Sequence, residues 1–367
     1  MRYPCPGCSA DLEFDPKAGQ LKCPYCGTEV SVPTENTARV IRENDLHAYL
    51  TPDAARLARL AENAVEVACE SCGAVTEFTP PEVAGFCPFC AAKIVAQPIA
   101  ADPLIAPEAV LPFAVPKKDA QVAVKKWLGS RWFAPSALKN MARQDGIAGV
   151  YLPHWTYDSQ TQSRYRGQRG EHYWETERYS ETDQNGRIVW KERQVQKTRW
   201  YPASGTVARF FDDILVAATG SVSETRLRGL EPWDLNALVS YEPAYLSGFK
   251  AQRYQVDLGT GFESAKEIMS GVIHSDVCSD IGGDEQRVHS IQTAYSDETF
   301  KHILLPVWIA AYRFEGKVFQ VLINARTGEV QGERPYSIWK IAGAVLFVIA
   351  AIALFVWWQQ GQEKPQV

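Results

Sequence analysis

The sequence predicts an α+β protein in three parts. Two small cysteine-bounded modules open the chain, a mixed β-rich domain with a few helices follows, and one apolar helix closes it. Three observations carry this expectation. Four Cys-x-x-Cys pairs lie within the first 90 residues. Aromatic and charged runs broken by turn signals dominate residues 117–335, and residues 341–358 (IAGAVLFVIAAIALFVWW) carry neither charge nor proline.

The cysteines come first in the chain and are the most specific signal. Cys5-Pro6-Gly7-Cys8 is followed after fourteen residues by Cys23-Pro24-Tyr25-Cys26, and Cys69-Glu70-Ser71-Cys72 after fourteen by Cys87-Pro88-Phe89-Cys90. A Cys-x-x-Cys turn presents two sulfurs to one side of a tetrahedral ion, and a second turn across a hairpin closes the shell. The spacing therefore predicts two zinc ribbons, residues 1–33 and 66–98, each holding one structural Zn²⁺ through four thiolates. The ligands are Cys5, Cys8, Cys23 and Cys26 in the first, and Cys69, Cys72, Cys87 and Cys90 in the second. A redox role for Cys23-Pro24-Tyr25-Cys26 would not call for three further pairs. Four thiolates leave no open position for metal catalysis. Residues 1–20 contain no apolar run, which places the N-terminus in the cytosol, where thiols stay reduced and metal binding is favoured over disulfides. Gly7, Gly27 and Gly73 are expected to supply left-handed backbone at the knuckles, with Ala91 strained in place of a fourth glycine.

Thr51-Pro52-Asp53 followed by Leu57, Leu60, Ala61 and Ala64 predicts a helix within a helical linker over 34–65. Five prolines within 98–116 make 99–116 an extended linker. In the α+β domain (117–335), Ala120, Ala123, Val124, Trp127 and Leu128 mark one amphipathic helix. Ala265, Ile268, Met269, Val272 and Ile273 mark a second, over Glu263–Asp280. Asp183-Gln184-Asn185-Gly186 predicts a hairpin turn between strands around Tyr173–Tyr179 and Arg187–Tyr201. Leu152-Pro153-His154-Trp155 resembles Leu305-Pro306-Val307-Trp308, which points to a duplicated β unit.

At 1.5 Å per residue the apolar run spans about 27 Å, close to the thickness of a bilayer core. A transmembrane helix is expected over 339–358, with a short tail at 359–367. Arg334 and Lys340 precede the apolar run 341–358 while Lys364, offset by Glu363, follows, so the N-terminal bulk is placed on the cytoplasmic side of an inner membrane in a single-pass arrangement.

No P-loop, nucleophile elbow or HExxH motif occurs, and the six histidines are scattered. His154 reads as a packed strand residue and Cys278 as a buried helix thiol. No catalytic residues are assigned and no enzyme is expected. The first ribbon carries a net charge of −1 and the second −3. Anionic modules gain nothing from counterion release on phosphate, so they point to protein partners rather than nucleic acid. The one basic, aromatic-interleaved stretch, 160–200, offers the alternatives of lipid headgroups, cross-strand ion pairing or stacked bases.

The two quartets, the two LPxW segments and the run Asn324–Ser337 (NARTGEVQGERPYS) entering the apolar helix resemble a bacterial family of membrane-anchored double zinc-ribbon proteins. Its members are labelled TFIIB-type zinc ribbon or primosomal protein N′ (replication factor Y), and include YdjG-like proteins. The helicase label does not suit a chain without a Walker motif. The resemblance implies a scaffold or adaptor that docks protein partners at the lipid bilayer, in PspA-type envelope-stress assemblies. The alternative is a membrane-tethered nucleic-acid binder.

Overall fold

A computed structural model describes residues 3–33, 41–50, 57–58, 65–78, 84–95, 104–130, 146–182, 186–314, 317–333 and 338–362. The first cysteine module folds as a three-stranded antiparallel sheet, β1 (Glu13–Asp15), β2 (Gln20–Lys22) and β3 (Glu29–Val30). Then come β4 (Asn44–Asp45) and α1 (Leu46–Leu50). The helix expected over 51–64 lies largely outside the described residues. Its Leu57–Ala58 form β5, paired with β10 (Leu104–Ile105), and are not helical. The second module consists of two hairpins, β6 (Val65–Ala68) with β7 (Val75–Phe78), and β8 (Ala84–Phe86) with β9 (Lys93–Val95).

The central domain is mixed α and β, organised on a nine-stranded sheet in which β4 is one strand, pairing with β16. Its elements are β11 (Ala109–Val110), α2 (Lys117–Gly129), β12 (Ile147–Thr182), β13 (Ile188–Ala217), α3 (Glu224–Arg228), β14 (Val239–Ser240), β15 (Lys250–Ala251), α4 (Leu258–Ile281), β16 (Glu285–Phe314), β17 (Lys317–Asn324) and β18 (Val330–Gly332). Both helices marked by apolar periodicity are present. In α2, Ala120, Val124 and Leu128 are buried. In α4, Ala265, Met269 and Ile273 are buried but Val272 is not. The α4 start is fixed by Asp257, whose carboxylate accepts from the Thr260 N–H at 2.9 Å. Part of the segment read as a linker belongs to the core: Ala109, Val110 and Leu111 are fully buried and Phe113 nearly so. The prolines punctuate a strand that enters the sheet.

The two LPxW segments lie side by side. Leu152 pairs with Leu305, and stepping outward Gly149 pairs with Trp308 and Trp155 with His302, the pattern of a local two-fold axis through the Leu152–Leu305 pair. The duplication extends well beyond the motif. β15 runs parallel to β12 at Val150–Tyr151, as β11 runs parallel to β16 at Ile303–Leu304. Six residues then lead from β11 to α2 and six from β15 to α4, and each helix precedes a hairpin. The Trp155 indole N–H donates to the Val256 carbonyl at 3.0 Å and the Trp308 indole to Val115 at 2.8 Å. The Ala218 N–H donates to Pro153 and the Ala325 N–H to Pro306. The fold is therefore two β-α-β-β units related by a two-fold axis.

Strand parity sorts the core. Tyr151, Trp155, Trp308 and Phe300 point to one face, which α2 and α4 cover. Val150, Leu152, Val307 and Ile309 point to the other. β12 outruns its partner β16, whose pairing ends at Gly170–Glu285, so Glu171–Thr182 and Ile188–Arg199 continue alone as a two-stranded arm. Gly186, with φ 75°, is the last residue of the expected turn, whose residues 183–185 lie outside the described set. The last helix, α5 (Ile338–Gln362), contains Lys340–Trp358 with mean hydropathy 2.6 and nothing buried. Among the described residues it is the helix long and apolar enough to cross a membrane.

Candidate metal centres

The four knuckles share one backbone turn. The N–H of each leading cysteine donates to the carbonyl five residues on: Cys5 to Ala10, Cys23 to Thr28, Cys69 to Ala74 and Cys87 to Ala92, at 2.7–2.9 Å. Its own carbonyl accepts from the residue just past the second cysteine, which is Ser9, Gly27, Gly73 or Ala91. That residue is left-handed in every case, with φ of 60°, 75°, 73° and 56°. Ala91 is thus strained as expected, but the equivalent position in the first knuckle is Ser9 and not Gly7. Gly7 serves close approach instead, because a Cβ there would meet Thr28 Oγ1 at 3.2 Å and the Cys26 sulfur at 3.7 Å. Replacing Ala91 or Ser9 by Gly relieves the strain and should stabilise the metal-loaded module by about 0.5–1 kcal/mol. A chelator titration should then need more chelator to strip that site.

These turns bring each quartet together, with all sulfurs within 4.8 Å of one another. Cys5 and Cys26 are 3.4 Å apart, Cys8 and Cys23 3.5 Å, Cys69 and Cys90 3.6 Å, and Cys72 and Cys87 3.7 Å. A tetrahedron of ~2.3 Å metal–sulfur bonds has edges of about 3.8 Å, so both quartets could hold a metal ion with little adjustment. Four thiols at this range cannot all ionise without a cation. Cys26 is drawn down to about 6 by the Thr28 hydroxyl and N–H. Cys8 is pushed up to about 12, the pull of the Ala10 N–H being outweighed by the Cys23 and Cys26 thiols. Burial pushes Cys72 up to about 11. A divalent ion would remove that conflict by pairing with all four sulfurs as thiolates.

The two sites lie against opposite faces of the sheet. Cys5 and Cys23 join the core that contains Tyr151 and Trp308, with contact made through residues 243–249. There the Phe14 N–H donates to Ser247 at 3.0 Å and the Phe14 ring meets Tyr245. Cys69, Cys87 and Cys90 join the core on the other face with Leu152 and Val307, and Gln320 Nε2 donates to the Phe89 carbonyl at 2.6 Å. Sequence reasoning treated the ribbons as separate modules and missed this seating. Only Phe89, an apolar residue inside a knuckle, could have signalled it.

In a third grouping, Glu43, Asp158 and Asp212, the first two carboxylates are already engaged. The Lys301 ammonium lies 3.2 Å from Glu43 and 2.7 Å from Asp213, the Asp213 N–H donates to Asp158, and Thr299 Oγ1 meets Asp158 at 3.0 Å. It straps β4 to the sheet. His154 is buried, its ring bonded to the Leu152 carbonyl at 3.1 Å, and burial pushes it down to about 4. An unfolded histidine titrates near 6.5, so between those values the unfolded chain holds the extra proton. The neutral ring's contribution is therefore complete above pH 6.5 and is lost as the pH falls towards 4. Relative to His154→Gln, the natural chain should lose up to about 3 kcal/mol over that window, read from denaturant midpoints. Cys278 is half-exposed, not buried, with its sulfur 3.7 Å from His274 Nδ1.

In the arm, charges pair across the strands. Arg178 meets Glu192 at 2.7 Å, Lys191 meets Glu181 at 2.6 Å, and Arg193 and Lys197 meet Glu177 at 3.2 and 3.0 Å. This is the ion-pairing alternative for 160–200.

Compared with curated proteins, the chain is similar to the protein named "Uncharacterized protein YdjG" from Bacillus subtilis (strain 168). It is 28% identical over 351 residues, which cover 93% of this chain and 92% of YdjG. No protein-family model matches the chain, and no solved structure matches it. The likeness spans nearly the whole length of both chains, so what the chain resembles is a whole protein and not a shared ribbon alone.

Proposed function

We propose that the protein is a non-enzymatic, single-pass membrane adaptor whose two structural zinc ribbons and sheet domain dock protein partners on the cytoplasmic side. One observation carries the reading: two all-cysteine quartets and an unburied apolar helix of 19 residues occur in the same chain. Four thiolates saturate Zn²⁺ and select it over harder cations, so the ions hold shape and do no chemistry. Burial of five of the eight sulfurs against the sheet fits a scaffold more than a reactive centre. The resemblance to YdjG-like proteins supports a partner of the PspA envelope-stress type. The test is retrieval of tagged full chain from detergent-solubilised membranes. A protein partner in fixed ratio, lost with Cys87→Ser, is expected. Recovery of the chain alone from every extract contradicts the adaptor role.

A further inference from the structure

The arm is two-faced. Residues opposite each other share a face, so Glu171, Glu175, Glu177, Glu181, Lys191, Arg193 and Lys197 line one side, where most of the ion pairs form. Trp174, Thr176, Ser180, Ile188, Trp190 and Gln194 line the other, with the Arg178–Glu192 ion pair set between the two tryptophans. Trp174 is 66% exposed, and Ile188 and Trp190 are 70% exposed. Indoles at the end of a thin ribbon, away from any core, are costly to leave in water.

We infer that this tryptophan face is a self-association surface, occupied by the same face of a second copy in the same membrane. The inference rests on the anchor part of the proposed function. Direction comes from strand pairing: Gly332 pairs with Val321, Val321 with Ala310 and Ala310 with Ile147. The chain thus leaves the sheet towards α5 beside the first residue of β12, at the end opposite the arm. β12 has 36 residues, roughly 120 Å if straight, so the arm tip is far from the point of exit. Identical chains anchored in one bilayer share one direction and one height, and a two-fold axis along the membrane normal brings equal arm residues face to face. Charge permits it: residues 171–199 hold six Lys/Arg and six Asp/Glu, paired largely within each arm, so like arms do not repel. That neutrality also removes any pull towards anionic headgroups.

Area sets the strength. The exposed parts of Trp174, Ile188 and Trp190 amount to roughly 400–500 Å² per copy. Two copies would bury under the ~1,600 Å² of a standard interface, so the arms pair only where the anchor concentrates them.

The test uses the full chain in phosphatidylcholine vesicles, with photoreactive benzoylphenylalanine in place of Thr176 on the tryptophan face or Glu177 on the other. Flotation with the vesicles checks the anchor separately, and a chain that does not float contradicts that reading and the tethered pairing with it. The expected result is a chain-to-chain cross-link from position 176 at about tenfold the yield from 177, lost with Trp174→Ser plus Trp190→Ser, and lost again on dilution into detergent. Equal yield from both faces, cross-links to lipid, or no chain-to-chain product from a floating chain would overturn it.

Discussion

With both quartets holding zinc as proposed, Cys87→Ser is expected to lower the metal content of the full chain from two zinc ions to one and to destabilise more than its own module. Structural zinc supplies about 10–16 kcal/mol to small four-ligand domains, and a module this size has no core that could replace it. Cys87 is buried beside Phe89 and Cys90 in the core that covers Val150, Leu152, Val307 and Ile309. Unfolding the second module uncovers that face and breaks the Gln320–Phe89 bond. The expected loss is on the order of 5 kcal/mol, since three remaining thiolates retain some affinity. Metal analysis gives the stoichiometry and thermal unfolding gives the cost. A variant that holds one zinc yet melts with the natural chain would show that the module is not seated on the sheet.

Trp155→Ala costs about 3–5 kcal/mol, because a fully buried indole is removed from the centre of the core beside Tyr254, Phe300 and His302. Trp155→Phe separates packing from hydrogen bonding. It leaves the Val256 carbonyl without its donor and costs about 1–3 kcal/mol. The two-fold axis predicts the same cost at Trp308, whose indole serves Val115 in the equivalent place. The two sites are about 20 Å apart along β12, so the double Phe variant should show the sum of the single losses in denaturant unfolding. A large loss at one tryptophan and none at the other would contradict the duplicated architecture.

What was legible in the sequence follows the range over which each signal acts. The cysteine quartets were complete on the page because a knuckle is set by four adjacent residues, and its partner lies one hairpin away. Helices α2 and α4 were legible because their apolar spacing is local. The duplication was visible only at the LPxW segments, where a buried tryptophan holds a backbone carbonyl in both copies. Elsewhere the copies share backbone geometry while side chains diverge, as Phe113 and Tyr254 do. β11 and β15, two residues each, are too short to show any alternation, and distant strands make them strands. That is why residues 109–113 read as a linker although Val110, Leu111 and Phe113 stood in plain view. The left-handed turn at Ser9 was missed because the nearby Gly7 offered a more familiar candidate. The long strands β12 and β13 read as shorter ones because their exposed ends carry paired charges instead of a core pattern.

Native mass spectrometry of the detergent-extracted full chain decides whether both cysteine quartets hold zinc. One dominant species carrying two zinc ions with all eight cluster cysteines reduced is expected, with stepwise loss of one and then the other on chelation. A chain that carries fewer than two ions, or that has disulfides within Cys5–Cys26 or Cys69–Cys90, would contradict it.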